Sequence, residues 1–203
     1  MSTEKILAQY IPQEACATIT KWINYYRAEL KITKGRSTKL GDYRHPYNGA
    51  GHRISVNHNL NQFAFLITLV HEFAHLITWE KHRNKVKPHG EEWKEYYRRM
   101  MIPFLEMELF PKDVDKALFA YMLNPAASSC TDMNLQRILK QYDPVQHQKP
   151  TVEQVPLKAL FEFRKRIFRK EEQVRKRYKC TEIATKKIYL FSPLAEVTII
   201  ESL

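Results

Sequence analysis

Apolar positions fall along the chain in three rhythms. Ile19, Trp22, Ile23, Tyr26 and Leu30 recur at helical spacing behind Pro12, which suits a first helical turn, so the pattern predicts an amphipathic helix over roughly 12 to 30. From Asn61 to Trp79 the residues are apolar almost all round, as in a helix enclosed within a domain. Trp93, Tyr96, Tyr97 and Met100 outline a helix expected to stop near Pro103. Val114, Ala117, Leu118 and Tyr121 carry another that opens at Pro111, and a shorter one is expected over Asp132 to Lys140. Between the first two helices, Gly35, Gly41, Gly49 and Gly51 lie amid RSTKLGDYR and HRISVN, whose alternation predicts two short strands joined by a turn. The stretch YDPVQHQKPTVEQVP has three prolines and no apolar period, the mark of a linker. Beyond it the period changes to two, and ALFEFRKRIF, VRKRYKCTEI and KIYLF read as three strands, with LAEVTII as a candidate fourth. The expected architecture is α+β: a mainly helical core with a small sheet over 1–143, a proline-containing linker over 144–157, and a basic antiparallel β appendage over 158–203.

Composition narrows this picture. A chain of 203 residues, 44% hydrophobic, can bury a real core. The most apolar run, Phe63 to Val70, is far short of the roughly 18 to 20 residues that span a bilayer, so no membrane segment is expected. The first residues lack the basic and apolar regions of a secretory signal, which makes the cytoplasm the expected location. Cys16, Cys130 and Cys180 are far apart and form no CxxC pair, so neither a disulfide framework nor a cysteine-based zinc ribbon is readable. The net charge of +11 favours a polyanionic partner such as nucleic acid.

The apolar run is interrupted by His71, Glu72 and His75. On a helix, His71 and His75 lie one turn apart on one face, close enough to hold a single ion, while Glu72 points about 100° round the axis and is free to act as general base. Chance matches to this HExxH spacing, from the chain's own 8 His and 17 Glu, number about 0.03 per chain. A buried helix would also strand these polar groups unless a metal satisfied them. Zinc suits neutral imidazoles and calls for a further protein ligand. HGEEW offers His89, Glu91 and Glu92, and His82 is nearer in sequence; the reading favours His89, because Gly90 after it relieves crowding while the two glutamates also suit a first helical turn.

Positive charge gathers late in the chain. Residues 158–187 hold twelve Lys and Arg against four Glu, a local excess of eight. Alternation in a VRKRYKC strand would set Arg175, Arg177 and Lys179 on one face, and Arg164 and Arg166 would share a face opposite Phe161, Phe163 and Ile167. Such a ribbon could lie along phosphates without reading sequence, and a solvated edge strand guarded by cations gives the same pattern.

LGDY at Leu40 to Tyr43, ISVN at Ile54 to Asn57, TLVHEFAHL at Thr68 to Leu76 and HGEEW at His89 to Trp93 together resemble the SprT-like family, the group that includes the DNA-dependent protease Spartan, in the flavour seen in Bacteroidetes-type bacteria. The resemblance spans roughly residues 10 to 105. It implies a compact zincin-like metallopeptidase core in which His71, His75 and His89 hold one Zn2+ and Glu72 activates water. Many members carry a ribbon of two cysteine pairs after this core. Here only Cys180 stands in the corresponding place, so the appendage is expected to be a metal-free version. The leading expectation is a zinc metalloprotease acting on DNA-associated or DNA-crosslinked proteins. The alternatives are a nucleic-acid-binding module with a structural or inactive zinc site, and a general cytoplasmic peptidase indifferent to DNA. For a transition-state donor, Tyr43, Tyr47 and His52 stand as undistinguished candidates.

Overall fold

The computed structural model describes residues 2–36, 39–125, 132–144 and 149–200. The chain is α+β and divides into two units, Met1–Asp143 and Pro144–Leu203.

In the first unit, α1 (Thr3–Leu7) and α2 (Cys16–Tyr26) precede a three-stranded sheet of β1 (Glu29–Thr33), β2 (Gly41–Arg44) and β3 (Arg53–Asn57). The first predicted helix is therefore corrected at both ends. Arg27 turns left-handed at φ 49°, and the Ala28 N–H closes the last turn on Ile23, so Leu30, which fits the helical period, sits instead in β1. The strand order is β1-β3-β2, with β1 parallel and β2 antiparallel to β3, so β2 is an edge. Asn57 at the end of β3 pins the incoming loop: its Nδ2 donates to the carbonyls of Arg36 (3.2 Å) and Lys39 (2.9 Å), and its Oδ1 accepts from Arg36 Nε at 2.8 Å.

Helix α3 (Gln62–His82) runs through the middle of this unit, with Phe65, Leu66, Ile67, Leu69, Val70, Phe73 and Leu76 fully enclosed. Asn61 caps it by accepting from the Ala64 N–H at 2.9 Å and, through Nδ2, donates to Leu139 O and Asp143 Oδ1, both at 2.8 Å. Helices α4 (Glu91–Glu106), α5 (Lys112–Leu123) and α6 (Met133–Lys140) follow. Pro103 does not stop α4, which continues to Glu106. The helix thus contains its proline near its end instead of stopping there.

The second unit is a five-stranded antiparallel sheet in the order β7-β6-β5-β4-β8, built from β4 (Leu160–Phe163), β5 (Arg166–Val174), β6 (Arg177–Glu182), β7 (Ile188–Phe191) and β8 (Thr198–Ile200). Two predicted strands are hairpins instead. ALFEFRKRIF turns at Arg164 and Lys165, both at positive φ, and VRKRYKCTEI turns at Arg175 (φ 54°). Phe161, Phe168, Cys180 and Phe191 share the inner face, where Val152, Val155 and Val197 complete a small core. Part of the expected linker therefore belongs to this unit: Val152 sits in a short 3-10 turn, Val152–Gln154, whose Thr151 bridges to Glu196. Lys170 is buried on the inner face, its ammonium donating to Val155 O at 2.6 Å and Glu153 O at 3.1 Å and lying 4.0 Å from the Tyr178 ring centre. Cys130 and residues 145–148 lie outside the described residues.

Candidate metal centre

The three histidines of the candidate ligand set meet. His71 and His75 come from successive turns of α3, and their Nε2 atoms are 3.2 Å apart; His89 brings its Nε2 to 3.3 Å from that of His71. All three offer a ligand nitrogen within 4.8 Å of the others. Tetrahedral Zn2+ with Zn–N bonds of about 2.0–2.1 Å requires nitrogens about 3.3 Å apart, so two of the three edges already have the length such an ion needs. His89 reaches the cluster from the residue before the N-cap of α4, in a left-handed conformation at φ 57°. Gly90 follows it, where a Cβ would stand 3.0 Å from Lys87 O. The other candidates for third ligand are engaged elsewhere or point away: His82 Nε2 is 3.1 Å from the Tyr96 hydroxyl, and Glu91 is exposed and paired with Lys94. Neither His82, Glu91 nor Glu92 joins a metal-ligand cluster among the described residues.

Trp93 of α4 is the floor of the cluster. Its ring is 4.6, 5.3 and 4.7 Å from those of His71, His75 and His89, and it stacks on Tyr97 at 5.3 Å. Periodicity marks Trp93 and Tyr97 as core residues, which they are; nothing in that pattern indicates that the core they form supports the site. Burial drives all three imidazoles below their ordinary pKa, His75 to about 3, with neighbouring histidines adding to the effect on His71 and His75. The neutral, ligating form therefore prevails at physiological pH.

Glu72 is buried on the side of α3 that faces β2. Burial, with Asp42 second, pushes its carboxyl up to about 8, against the pull of Arg36, Lys39 and the Tyr43 main-chain N–H. A cation held by the neighbouring histidines would draw this carboxyl back toward the carboxylate form that a general base needs. Its place depends on Gly41: a Cβ there would collide with Glu72 Oε1 and come within 2.8 Å of Glu72 Cγ and Thr68 Cγ2. The inner face of β2 continues with Tyr43, whose ring lies parallel to His75, and then His45 beyond the strand, parallel to Trp79 at 5.3 Å. Gly41, Tyr43 and His45 thus follow Glu72, His75 and Trp79 along the helix. Sequence reading did not find the role of Gly41; the signal was its place in LGDY, with no turn to explain it. Of the three candidate donors, Tyr43 and His52 are bonded to each other beside the cluster, and Tyr47 is 66% exposed in the β2–β3 turn.

The five basic candidates of the second unit do not share one face. Arg166 is on the inner face, held by Glu182 at 2.6 and 2.7 Å and by the Tyr189 hydroxyl at 2.7 Å. Arg164 is in the β4–β5 turn, its guanidinium 5.2 Å from the Phe163 ring centre, and so does not share a strand face with Arg166. Arg175 occupies the β5–β6 turn, whereas Arg177 and Lys179 share the outer face of β6. Lys179 is paired with Glu172 at 3.3 Å. Ile167, expected among the inner residues, is on the outer face and 43% exposed. The turns break the alternation on which the single-face ribbon rested.

Fold and site together define a mixed α+β protein whose first unit gathers three histidines beside a buried glutamate. Residues 15–111 match the model of the SprT-like family, which points to a metallopeptidase-type domain over that span. The chain matches none of the curated proteins and none of the solved structures. Among the described residues, no helix is long and apolar enough to cross a membrane.

Proposed function

We propose that the first unit is a zincin-like zinc metallopeptidase, with His71, His75 and His89 holding one Zn2+ and Glu72 as general base. The observation that carries this reading is the meeting of three imidazole nitrogens, with two of their three separations at the tetrahedral length, next to a buried carboxyl. When bound, the ion supplies Lewis acidity for a water and a peptide carbonyl. Glu72 takes a proton from the attacking water as the new C–O bond forms, and returns it to the amide nitrogen as the C–N bond breaks. The second proton of the water follows the first, so the products are a carboxylate and a protonated amine, and the base is regenerated. The Trp93 floor and the enclosed α3 keep bulk water from the rear of the cluster.

Its substrates are proteins associated with or crosslinked to DNA, and its location is the cytoplasm. Support for the DNA partner is the local excess of eight positive charges over 158–187, displayed at the turns around Arg164 and Arg175 and on the outer face at Arg177 and Lys179. Arg166 is a structural residue in this reading.

The test compares zinc-loaded wild type with Glu72→Gln on a basic DNA-binding protein, each with and without single- and double-stranded DNA. Wild-type cleavage increased by DNA and lost in the variant is expected, with zinc retained in both. Full cleavage by Glu72→Gln would overturn the base assignment, and cleavage indifferent to DNA would remove the DNA partner.

A further inference from the structure

Strand β2 is only four residues long and is paired on one side, with β3, yet it supplies both Gly41 and Tyr43 to the site. A short edge strand is the part of a sheet most prone to local opening, so its ladder alone is a weak support for catalytic geometry. A chain of side chains supplements it. The Tyr43 hydroxyl is 2.9 Å from His52 Nδ1, and His52 Nε2 is 3.0 Å from Glu80 Oε1. Arg83 donates to that same carboxylate oxygen at 3.3 Å. A carboxylate only accepts, so in the neutral imidazole Nε2 carries the hydrogen toward Glu80, and Nδ1 accepts from the phenol. His52 is 7% exposed, and its ring meets Trp79 edge-on at 5.5 Å, which fixes its orientation. At the near end, the Tyr43 ring lies parallel to that of His75, 6.5 Å away with 2° between the planes. The chain thus starts beside His75 and ends at Glu80, both on α3, with β2 held between.

We propose that Tyr43, His52 and Glu80 form a positioning relay that locks edge strand β2 onto α3, keeping the Gly41–Glu72 contact and the His75 ring in register. None of the three is a metal ligand or the base. Their effect on catalysis rests on the metallopeptidase reading; the clamp itself does not.

Tyr43→Phe keeps the ring and its stack and removes only the bond to His52, and Glu80→Gln keeps an acceptor oxygen for His52. In the metal-free full chain, amide hydrogen exchange followed by NMR reads the clamp directly. In Tyr43→Phe the ladder amides of the β2–β3 pair should exchange about tenfold faster, as expected for one lost hydrogen bond in a locally opening element. The amides of Leu66, Leu69 and Val70 in α3 should be unchanged, and Glu80→Gln should behave like wild type. Unchanged β2 exchange in Tyr43→Phe would overturn the relay, and so would acceleration by one common factor throughout the unit, which would make the tyrosine an ordinary packing residue. In the zinc-loaded protein, Tyr43→Phe should lower kcat with KM and zinc stoichiometry unchanged. Absence of hydrolysis by wild type would count against the peptidase reading alone, leaving the exchange result to decide the relay.

Discussion

Gly41→Ala tests the site without replacing a proposed ligand or the proposed base. Gly41 has ordinary strand backbone, so the added methyl brings no backbone strain; its whole effect is steric. The new Cβ would collide with Glu72 Oε1 and lie 2.8 Å from Glu72 Cγ and Thr68 Cγ2, and ordinary contact begins at 3.4 Å, so both neighbours must give by about 0.6 Å and the Glu72 carboxylate by more. Glu72 is the freer of the two, because the β-branched Thr68 on a buried helical turn has few rotamers open to it. A displacement near 1 Å in a catalytic group costs about 10²-fold, so kcat should fall by roughly 10- to 100-fold, or about 1.4–2.7 kcal/mol in the barrier. Overpacking should also lower stability by about 1–3 kcal/mol. The assay is steady-state hydrolysis of an unstructured protein by wild type and variant below their unfolding temperatures, with zinc stoichiometry measured on the same samples. One zinc per chain with reduced kcat is expected. Wild-type kcat in a folded Gly41→Ala protein would refute the claim that this contact sets the position of Glu72.

Three further outcomes follow from the two units. Zinc at about 100 times its Kd should stabilise the first unit by about 2.7 kcal/mol, raising its thermal midpoint by roughly 5–10 °C over chelator-treated protein; equal midpoints, or an unchanged shift in His71→Ala, would refute the ligand set. Lys170→Ala leaves the carbonyls of Glu153 and Val155 without their donor and should destabilise the second unit by about 2–4 kcal/mol in urea, with the metal affinity of the full chain unaltered. Glu171 and Glu182 are held down to about 2, Glu171 by Lys158 and Arg169 and Glu182 by Arg166 and Thr185. Because these folded pKa values lie below the unfolded value of about 4.3, their stabilisation is present above that pH and lost as pH falls toward 2. Near-UV circular dichroism should show the loss, with a smaller acid-dependent change in Glu182→Gln.

The candidate site was legible where chemistry has a fixed spacing. His71, Glu72 and His75 are specified by one helix, and a helix as apolar as α3 leaves their purpose little else to be. His89 was harder, since Glu91, Glu92 and His82 share its neighbourhood, and it is the fold that brings His89 and none of those three into the cluster. The fold was least legible where turns lack their usual residues. Arg27, Arg164, Lys165 and Arg175 all take positive φ without being glycine or asparagine, so no turn signal separated α2 from β1 or divided the hairpins of the second unit. The same substitution explains the misplaced basic face: cations that looked like alternate strand positions are partly solvated turn residues. Gly41, Tyr43, His52 and Glu80 were invisible as a set because they act through contacts across the β2–α3 interface, which no local period encodes.

The spacing of the proposed ligands also bears on how the site would assemble. His71, His75 and His89 fall within a segment of nineteen residues, and closing the 18-residue separation between its ends costs only about 2.6 kcal/mol of chain entropy. Gly41 lies thirty residues before His71, in a strand that needs β3 as its template. Capture of an ion is therefore a local event, open to a chain whose sheet has yet to form, whereas the surroundings of Glu72 require long-range pairing. On the metallopeptidase reading, loading is then expected to precede competence: a partly folded polypeptide would carry its metal before it had the geometry to cut.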